Sequence, residues 1–140
     1  AFYTEQNYGF RAPARITGGS ASMVARSLAR VASTVAEELD CKLIVAFTES
    51  GITARLLSLH RPRVPVVAIT HEDRVYRQLA LSWGVVPVKS DFVENTDELL
   101  AAGEERLKAR GFAERGDTIL MLSGHSIAAA ATNMLRVHTV

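Results

Sequence analysis

The chain has 140 residues, of which 48% are hydrophobic and 22% charged, and its formal net charge is +1. A domain of this length buries roughly 70% of its unfolded surface, so it can fold without disulfides. The near-neutral charge argues against a nucleic-acid binder, because neutralising phosphates requires a basic face. No apolar run approaches the roughly 20 residues of a membrane span. The single cysteine, Cys41, suits a reducing compartment. We therefore expect a cytoplasmic protein that binds neither nucleic acid nor membranes.

Residues 1–19 are the least regular part of the chain. Four aromatic residues lie there without a common period, and glycine and proline interrupt the segment; the aromatic residues are Phe2, Tyr3, Tyr8 and Phe10. We interpret the segment as an arm or linker. Both a docking segment and a disordered terminus remain open.

A helix is predicted after Ser20 or Ser22, since either hydroxyl can cap a first helical turn. Two sets of residues then recur at helical spacing, a larger apolar set and an alanine set. They are Val24, Leu28, Val31, Val35 and Leu39, and Ala25, Ala29, Ala32 and Ala36. The alanines predict close packing of this helix on a sheet. Residues 43–47 then form a continuous apolar run, which is typical of a strand buried on both faces.

Helices and strands continue to alternate to the end of the chain. The pattern predicts helices over 52–60, 72–81 and 96–110, strands over 64–69, 84–88 and 118–122, and an edge strand over 134–140. Gly111 is a plausible stop for the last of these helices. Alternation of this kind predicts an α/β domain over residues 20–140, with a mostly parallel sheet covered on both faces.

The turn after the first strand is the most informative segment. Thr48, Ser50 and Thr53 provide three hydroxyls, and Gly51 allows the backbone to come close to a ligand. Ligands of parallel α/β sheets bind beyond the carboxyl ends of the strands, and a helix N-terminus favours phosphate. Simple helix capping by Ser50 or Thr48 explains the same residues. Glu49 weakens the phosphate interpretation, because it adds negative charge beside the turn.

A second candidate loop, 123–133, follows another strand end and could cover the same crevice. Its polar candidates are Ser123, Gly124, His125 and Ser126. The loop is also rich in alanine, which equally favours a helical turn, and His125 is as readily an ordinary exposed side chain. The four histidines have no metal-ligand spacing, so we expect no metal site, and no residue is assigned a catalytic role.

Several segments, in order, resemble the carboxy-terminal α/β domain of pyruvate kinase. They are Ile44–Leu56, Arg61–Pro65, Val67–Thr70, Arg77–Val88, Gly116–Asp117, Ser123–Gly124, Thr132–Asn133 and Val137–Val140. The resemblance covers roughly residues 20–140. It implies a three-layer α/β/α sandwich with a five-stranded, mostly parallel sheet whose last strand is antiparallel.

The resemblance also implies a parent enzyme that transfers phosphoryl from phosphoenolpyruvate to ADP, with Mg²⁺ and often K⁺. That chemistry belongs to a (β/α)₈ barrel, which takes roughly 250 residues. The 140 residues leave no room for such a barrel. We therefore expect no cofactor in this chain, no phosphoryl transfer by the chain alone, and the missing catalytic domain as a partner.

In this family the carboxy-terminal domain regulates the enzyme and assembles it into oligomers. The resemblance places the phosphate of a sugar-phosphate effector at Thr48, Ser50, Gly51 and Thr53. The alanine-rich 127–131 and the lack of a Trp…Arg pair after Asn95 favour a monophosphate over fructose 1,6-bisphosphate.

A homo-oligomer is expected, with the 72–82 helix and the final strand as candidate contacts. A free-standing phosphometabolite-binding module and a purely structural assembly module remain alternatives. The first residue, Ala1 rather than Met, favours a fragment of a longer protein.

Overall fold

The computed structural model describes residues 23–91, 93, 95–123 and 134–140. Nine elements follow one another along these residues. They are α1 (Met23–Glu38), β1 (Ile44–Phe47), α2 (Ile52–Leu59), β2 (Val66–Thr70), α3 (Asp73–Leu79), β3 (Val85–Lys89), α4 (Thr96–Ala109), β4 (Thr118–Ser123) and β5 (Met134–Thr139). The predicted alternation of helices and strands is therefore confirmed, while the arm 1–19 and the caps Ser20 and Ser22 lie outside the described residues.

The five strands form one sheet in the order β3-β2-β1-β4-β5. β1 pairs in parallel with both β2 and β4, and β3 pairs in parallel with β2. β5 runs antiparallel to β4, as expected for the final edge strand. From β1 the chain builds outward through β2 to β3, and it then returns to place β4 on the other side of β1. The sheet thus has a topological switch point between β1 and β4.

Apolar side chains on the two faces of the sheet form two separate cores. One core joins Ile44, Ala46 and their neighbours to α1, α2 and α3, and the other joins Val45, Phe47 and their neighbours to α4. Burial of a large aliphatic side chain stabilises a fold by roughly 1.5–3 kcal/mol, so both layers contribute substantially to folding. The expected three-layer α/β/α sandwich is confirmed.

Helix α1 packs on the sheet through its alanines, as predicted. The four are almost fully buried: Ala25, Ala29, Ala32 and Ala36. The larger apolar set is divided, because Val24, Val31 and Leu39 are each more than 40% exposed, whereas Leu28 and Val35 are half-buried against the core. Small side chains let the helix axis approach the sheet closely, so the alanines form the centre of the contact and Leu28 and Val35 pack at its margin.

Helix α4 begins and ends at residues whose chemistry suits those positions. The Asn95 side chain caps its start by accepting from the N–H groups of Asp97 at 2.8 Å and Glu98 at 3.2 Å. The helix ends at Ala109, and Gly111 follows with a positive φ of 76°, which confirms the predicted stop. Among the described residues, no helix is both long and apolar enough to cross a membrane.

Candidate functional site

The β1–α2 turn lies at the switch point of the sheet. Strand β1 ends at Phe47, and helix α2 begins at Ile52, so Thr48–Gly51 form the connection. In open α/β sheets, ligands bind outside the carboxyl ends of the strands where the strand order reverses. The residues that the sequence predicts as a site are therefore brought together at the position that this topology favours for binding.

Hydroxyl side chains organise this turn. Thr48 Oγ1 accepts from the Gly51 N–H at 2.8 Å, and Ser50 Oγ accepts from the Ile52 N–H at 3.3 Å. The N-cap of α2 is Gly51, which has no side-chain cap hydrogen bond, so neither Thr48 nor Ser50 is the cap residue; their hydroxyls instead close the turn that leads into the helix. Because each hydroxyl accepts through its oxygen, its proton remains able to donate to a further acceptor. Closing the turn and binding an anion are therefore compatible at the same side chains.

The hydroxyls differ in their exposure. Thr48 and Thr53 are 8% and 5% exposed, whereas Ser50 and Glu49 are half-buried. Ser50 is consequently the most accessible hydroxyl of the turn. The carboxylate of Glu49 brings a negative charge to the same connection, as the sequence predicts.

Gly51 has a backbone conformation and surroundings that suit glycine. Its φ is +87°, and a Cβ built on it would lie 2.8 Å from Arg55 Nη1 and 3.2 Å from Val75 Cγ1. A side chain at this position would therefore meet both a strained backbone and occupied space. The glycine lets the Arg55 guanidinium lie directly on the turn.

The β2–α3 connection and the last residue of β3 contribute further polar groups at the carboxyl ends of the strands. Thr70 Oγ1 accepts from the Glu72 N–H at 3.1 Å, and Lys89 Nζ lies 2.8 Å from Asp73 Oδ1. The hydrogen bond and charge of Lys89 lower the pKa of the Asp73 carboxyl below its ordinary value. Lys89 is thus already engaged with a carboxylate.

Ser123 ends β4 on the other side of the switch point. It lies one residue beyond the Ala46–Leu122 pair, which places it level with Phe47. Its hydroxyl is buried and has no hydrogen-bond partner in the described part of the chain. The other predicted loop residues, Gly124, His125 and Ser126, lie outside the described residues.

Sequence reasoning assigned no role to Arg55, although the structure places it in contact with the turn. Its Nη2 donates to the Ser50 carbonyl at 3.2 Å. The available signal was its spacing four residues after Gly51, which puts the two on one helix face. Within the described ranges, no three His, Cys, Asp or Glu side chains are placed to hold a metal ion.

The fold and the turn define an α/β/α sandwich domain with a hydroxyl-rich connection at the switch point of a mixed sheet. Comparison with known families identifies the family to which this domain belongs. Residues 26–138 match the family model described as "Pyruvate kinase, alpha/beta domain". The chain belongs to this family, which confirms the resemblance seen in the sequence.

Curated relatives agree with this assignment. Pyruvate kinase of Lactococcus lactis subsp. lactis is 40% identical over 119 residues, covering 85% of this chain and 24% of the relative. Pyruvate kinase of Clostridium acetobutylicum is 38% identical over 108 residues, covering 76% of this chain and 23% of the relative. Pyruvate kinase of Geobacillus stearothermophilus is 30% identical over 125 residues, covering 89% of this chain and 21% of the relative. The chain thus spans about a quarter or less of the length of these relatives.

Proposed function

We propose that the chain is the regulatory and oligomerisation domain of a pyruvate kinase. The parent enzyme would transfer phosphoryl from phosphoenolpyruvate to ADP in glycolysis, with its Mg²⁺ and K⁺ held by a catalytic barrel outside these residues. The observation that carries the proposal is the hydroxyl-rich β1–α2 turn at the switch point of the sheet. Family membership supports the parent activity, and the turn supports the regulatory role.

The ligand of the turn is a sugar phosphate that acts as an effector. Thr48, Ser50, Gly51 and Thr53 meet at the start of α2, where backbone N–H groups and the helix dipole favour an anion. The O–H protons of Thr48 and Ser50 can donate to phosphate oxygens while their oxygens keep the turn closed. A monophosphate is favoured over fructose 1,6-bisphosphate, because the alanine-rich 127–131 offers no side-chain donors for a second phosphate.

An effector at this turn regulates only by binding one arrangement of the enzyme more tightly than another. The coupling is reciprocal, so an arrangement that favours catalysis would also bind the effector better. The turn joins β1 to α2 within the core that also contains α1 and α3. A change in the turn is therefore connected to the packed helices of that face.

Calorimetric titration of the chain tests the phosphate site. The probes are glucose 6-phosphate, ribose 5-phosphate, AMP and fructose 1,6-bisphosphate, with glucose as the uncharged control. We expect heat from at least one monophosphate and none from glucose. The absence of heat and of thermal stabilisation with all four phosphates would instead favour a structural assembly module.

Substitution of the accessible hydroxyl gives a sharper test. Ser50→Ala is expected to weaken binding by roughly 1–3 kcal/mol, the usual loss for a hydrogen bond to a charged group. Thr53→Ala is expected to act in the same direction. Ser58→Ala is the matched control, because Ser58 lies in the last turn of the same helix and its Oγ donates to the Trp83 carbonyl at 2.7 Å. Equal phosphate affinities for Ser50→Ala and Ser58→Ala would show that the phosphate binds elsewhere on the chain.

Two exposed features support the assembly role. Among the described strands β5 lies at one edge of the sheet, and its Val137 is 47% exposed; a strand edge that has no partner is able to pair with another chain. Beyond the C-terminus of α3, Leu81 is 90% and Trp83 51% exposed. Val137 and Leu81 lie in the segments that the sequence predicts as contacts, and Trp83 lies one residue beyond the 72–82 segment. Sedimentation of the chain tests this role, since an assembly domain is expected to form dimers or larger species that dissociate on dilution.

A further inference from the structure

We propose that Arg55 belongs to the phosphate site, with its guanidinium supplying the positive charge that holds the ligand. This inference rests on the phosphate site proposed above and names a ligand-contacting residue that the hydroxyls alone do not provide. The ligand class that follows is a phosphate monoester, which carries about −1.5 to −2 charges at neutral pH.

The geometry brings the Arg55 guanidinium onto the turn. Helical side chains lean toward the helix N-terminus, so Arg55, in the first turn of α2, extends back over Gly51. Nη2 donates to the Ser50 carbonyl at 3.2 Å. Nη1 occupies the space beside Gly51, where a Cβ would lie only 2.8 Å away. The guanidinium is therefore held against the two residues at the centre of the turn.

The guanidinium keeps donors for a ligand. An arginine side chain has five N–H donors in a planar fork, and the described residues give this one a single hydrogen bond, to Ser50. The fork matches phosphate oxygens better than a point charge does. Arg55 is also half-buried, so its charge is less screened than that of an arginine extended into water.

A phosphate dianion at this turn requires a positively charged side chain to offset the negative charge already there. Glu49 adds a negative charge to the connection, and the dipole of α2 offsets only about half an elementary charge. Lys89, the last residue of β3, is paired with Asp73 at 2.8 Å. Without Arg55 the turn would present more negative than positive charge to a dianion. With Arg55 the turn gains a full positive charge beside the hydroxyl protons.

Titration of glucose 6-phosphate into the full chain at increasing sodium chloride tests the inference. The variants are Arg55→Gln and Arg55→Lys. The matched control is Arg106→Gln, which removes the same charge from an exposed position on α4, on the opposite face of the sheet. We expect Arg55→Gln to lose roughly tenfold or more in affinity. We also expect its residual binding to depend less on salt, because one attracting charge has been removed.

Arg55→Lys keeps the positive charge but lacks the planar guanidinium with its paired N–H donors. We therefore expect weaker binding of glucose 6-phosphate with the same salt dependence as in the unsubstituted chain. Arg106→Gln is expected to change neither the affinity nor the salt dependence. Thermal unfolding without ligand establishes that each variant is folded. If Arg55→Gln does not fold, the inference is tested with Arg55→Lys instead.

Three results overturn the inference. The first is an Arg55→Gln affinity equal to that of the unsubstituted chain. The second is a lower affinity with an unchanged salt dependence, which would make Arg55 a support for the Ser50 carbonyl only. The third is loss of the salt dependence in Arg55→Lys. If the unsubstituted chain binds no phosphate probe, the proposed function fails and the role of Arg55 fails with it, a pattern distinct from the other three.

Discussion

Replacing Gly103 with valine is expected to destabilise the domain by about 3 kcal/mol, because the new side chain overfills the core beneath α4. A Cβ at Gly103 would lie 2.7 Å from Phe47 Cζ, 2.8 Å from Phe47 Cε1 and 3.4 Å from Ile69 Cδ1. Phe47 is only 7% exposed, so its ring is confined by its neighbours. Accommodating valine therefore requires α4 to move away from the sheet or Phe47 to change its rotamer.

Denaturant unfolding measures this effect, and Ala102→Val provides the control. Ala102 is the preceding residue of the same helix but is exposed, so valine there loses only about 0.5 kcal/mol of helix propensity. The double variant with Phe47→Leu lacks the two ring atoms nearest Gly103 and is expected to recover part of the loss. Equal stabilities for Gly103→Val and Ala102→Val would show that the close approach of α4 to Phe47 does not constrain the fold.

Gly51→Ala is expected to cost about 2–3 kcal/mol of stability and to weaken phosphate binding as well. Two effects combine at this residue. The φ of +87° is unfavourable for alanine, and the added Cβ would displace the Arg55 guanidinium from the turn. Displacement of Arg55 contributes to both losses, whereas the backbone strain contributes to the loss in stability.

Gly111→Ala separates the two effects. Gly111 has a φ of +76°, and a Cβ built on it meets nothing within 4 Å, so alanine there has only the backbone cost of about 1–2 kcal/mol. Chemical denaturation of both variants, with calorimetry on the folded proteins, gives the comparison. The contact with Arg55 would be refuted if the two variants lost equal stability and bound phosphate equally well.

Much of the fold could be predicted from the sequence because the burial pattern is strong. The apolar run 43–47 and the polar turn after it identified β1 and the start of α2 within a residue or two. Gly111 likewise marked the end of α4, since a left-handed residue is commonly glycine. These features depend on local chemistry, which a sequence displays directly.

Features that depend on tertiary packing were less predictable. On α1, the packing of the alanines on the sheet was predicted, but helical spacing did not show which of the larger apolar residues stay exposed, such as Val24 and Val31. At the site, the hydroxyls of Thr48, Ser50 and Thr53 could be predicted because they lie within six residues of one another directly after an apolar run. Arg55 was not found, because its contact depends on the helix register and on the positive φ of Gly51.

The central claim is that the β1–α2 turn binds a phosphate, and an NMR titration of the isotope-labelled chain tests it most directly. Glucose 6-phosphate, ribose 5-phosphate, AMP and fructose 1,6-bisphosphate are added in turn, with glucose as the uncharged control. We predict that at least one monophosphate produces its largest amide shifts at Ser50, Gly51 and Ile52, and that glucose produces none. No amide shifts with any phosphate, or shifts that leave these three residues unchanged, would contradict a phosphate site at the turn.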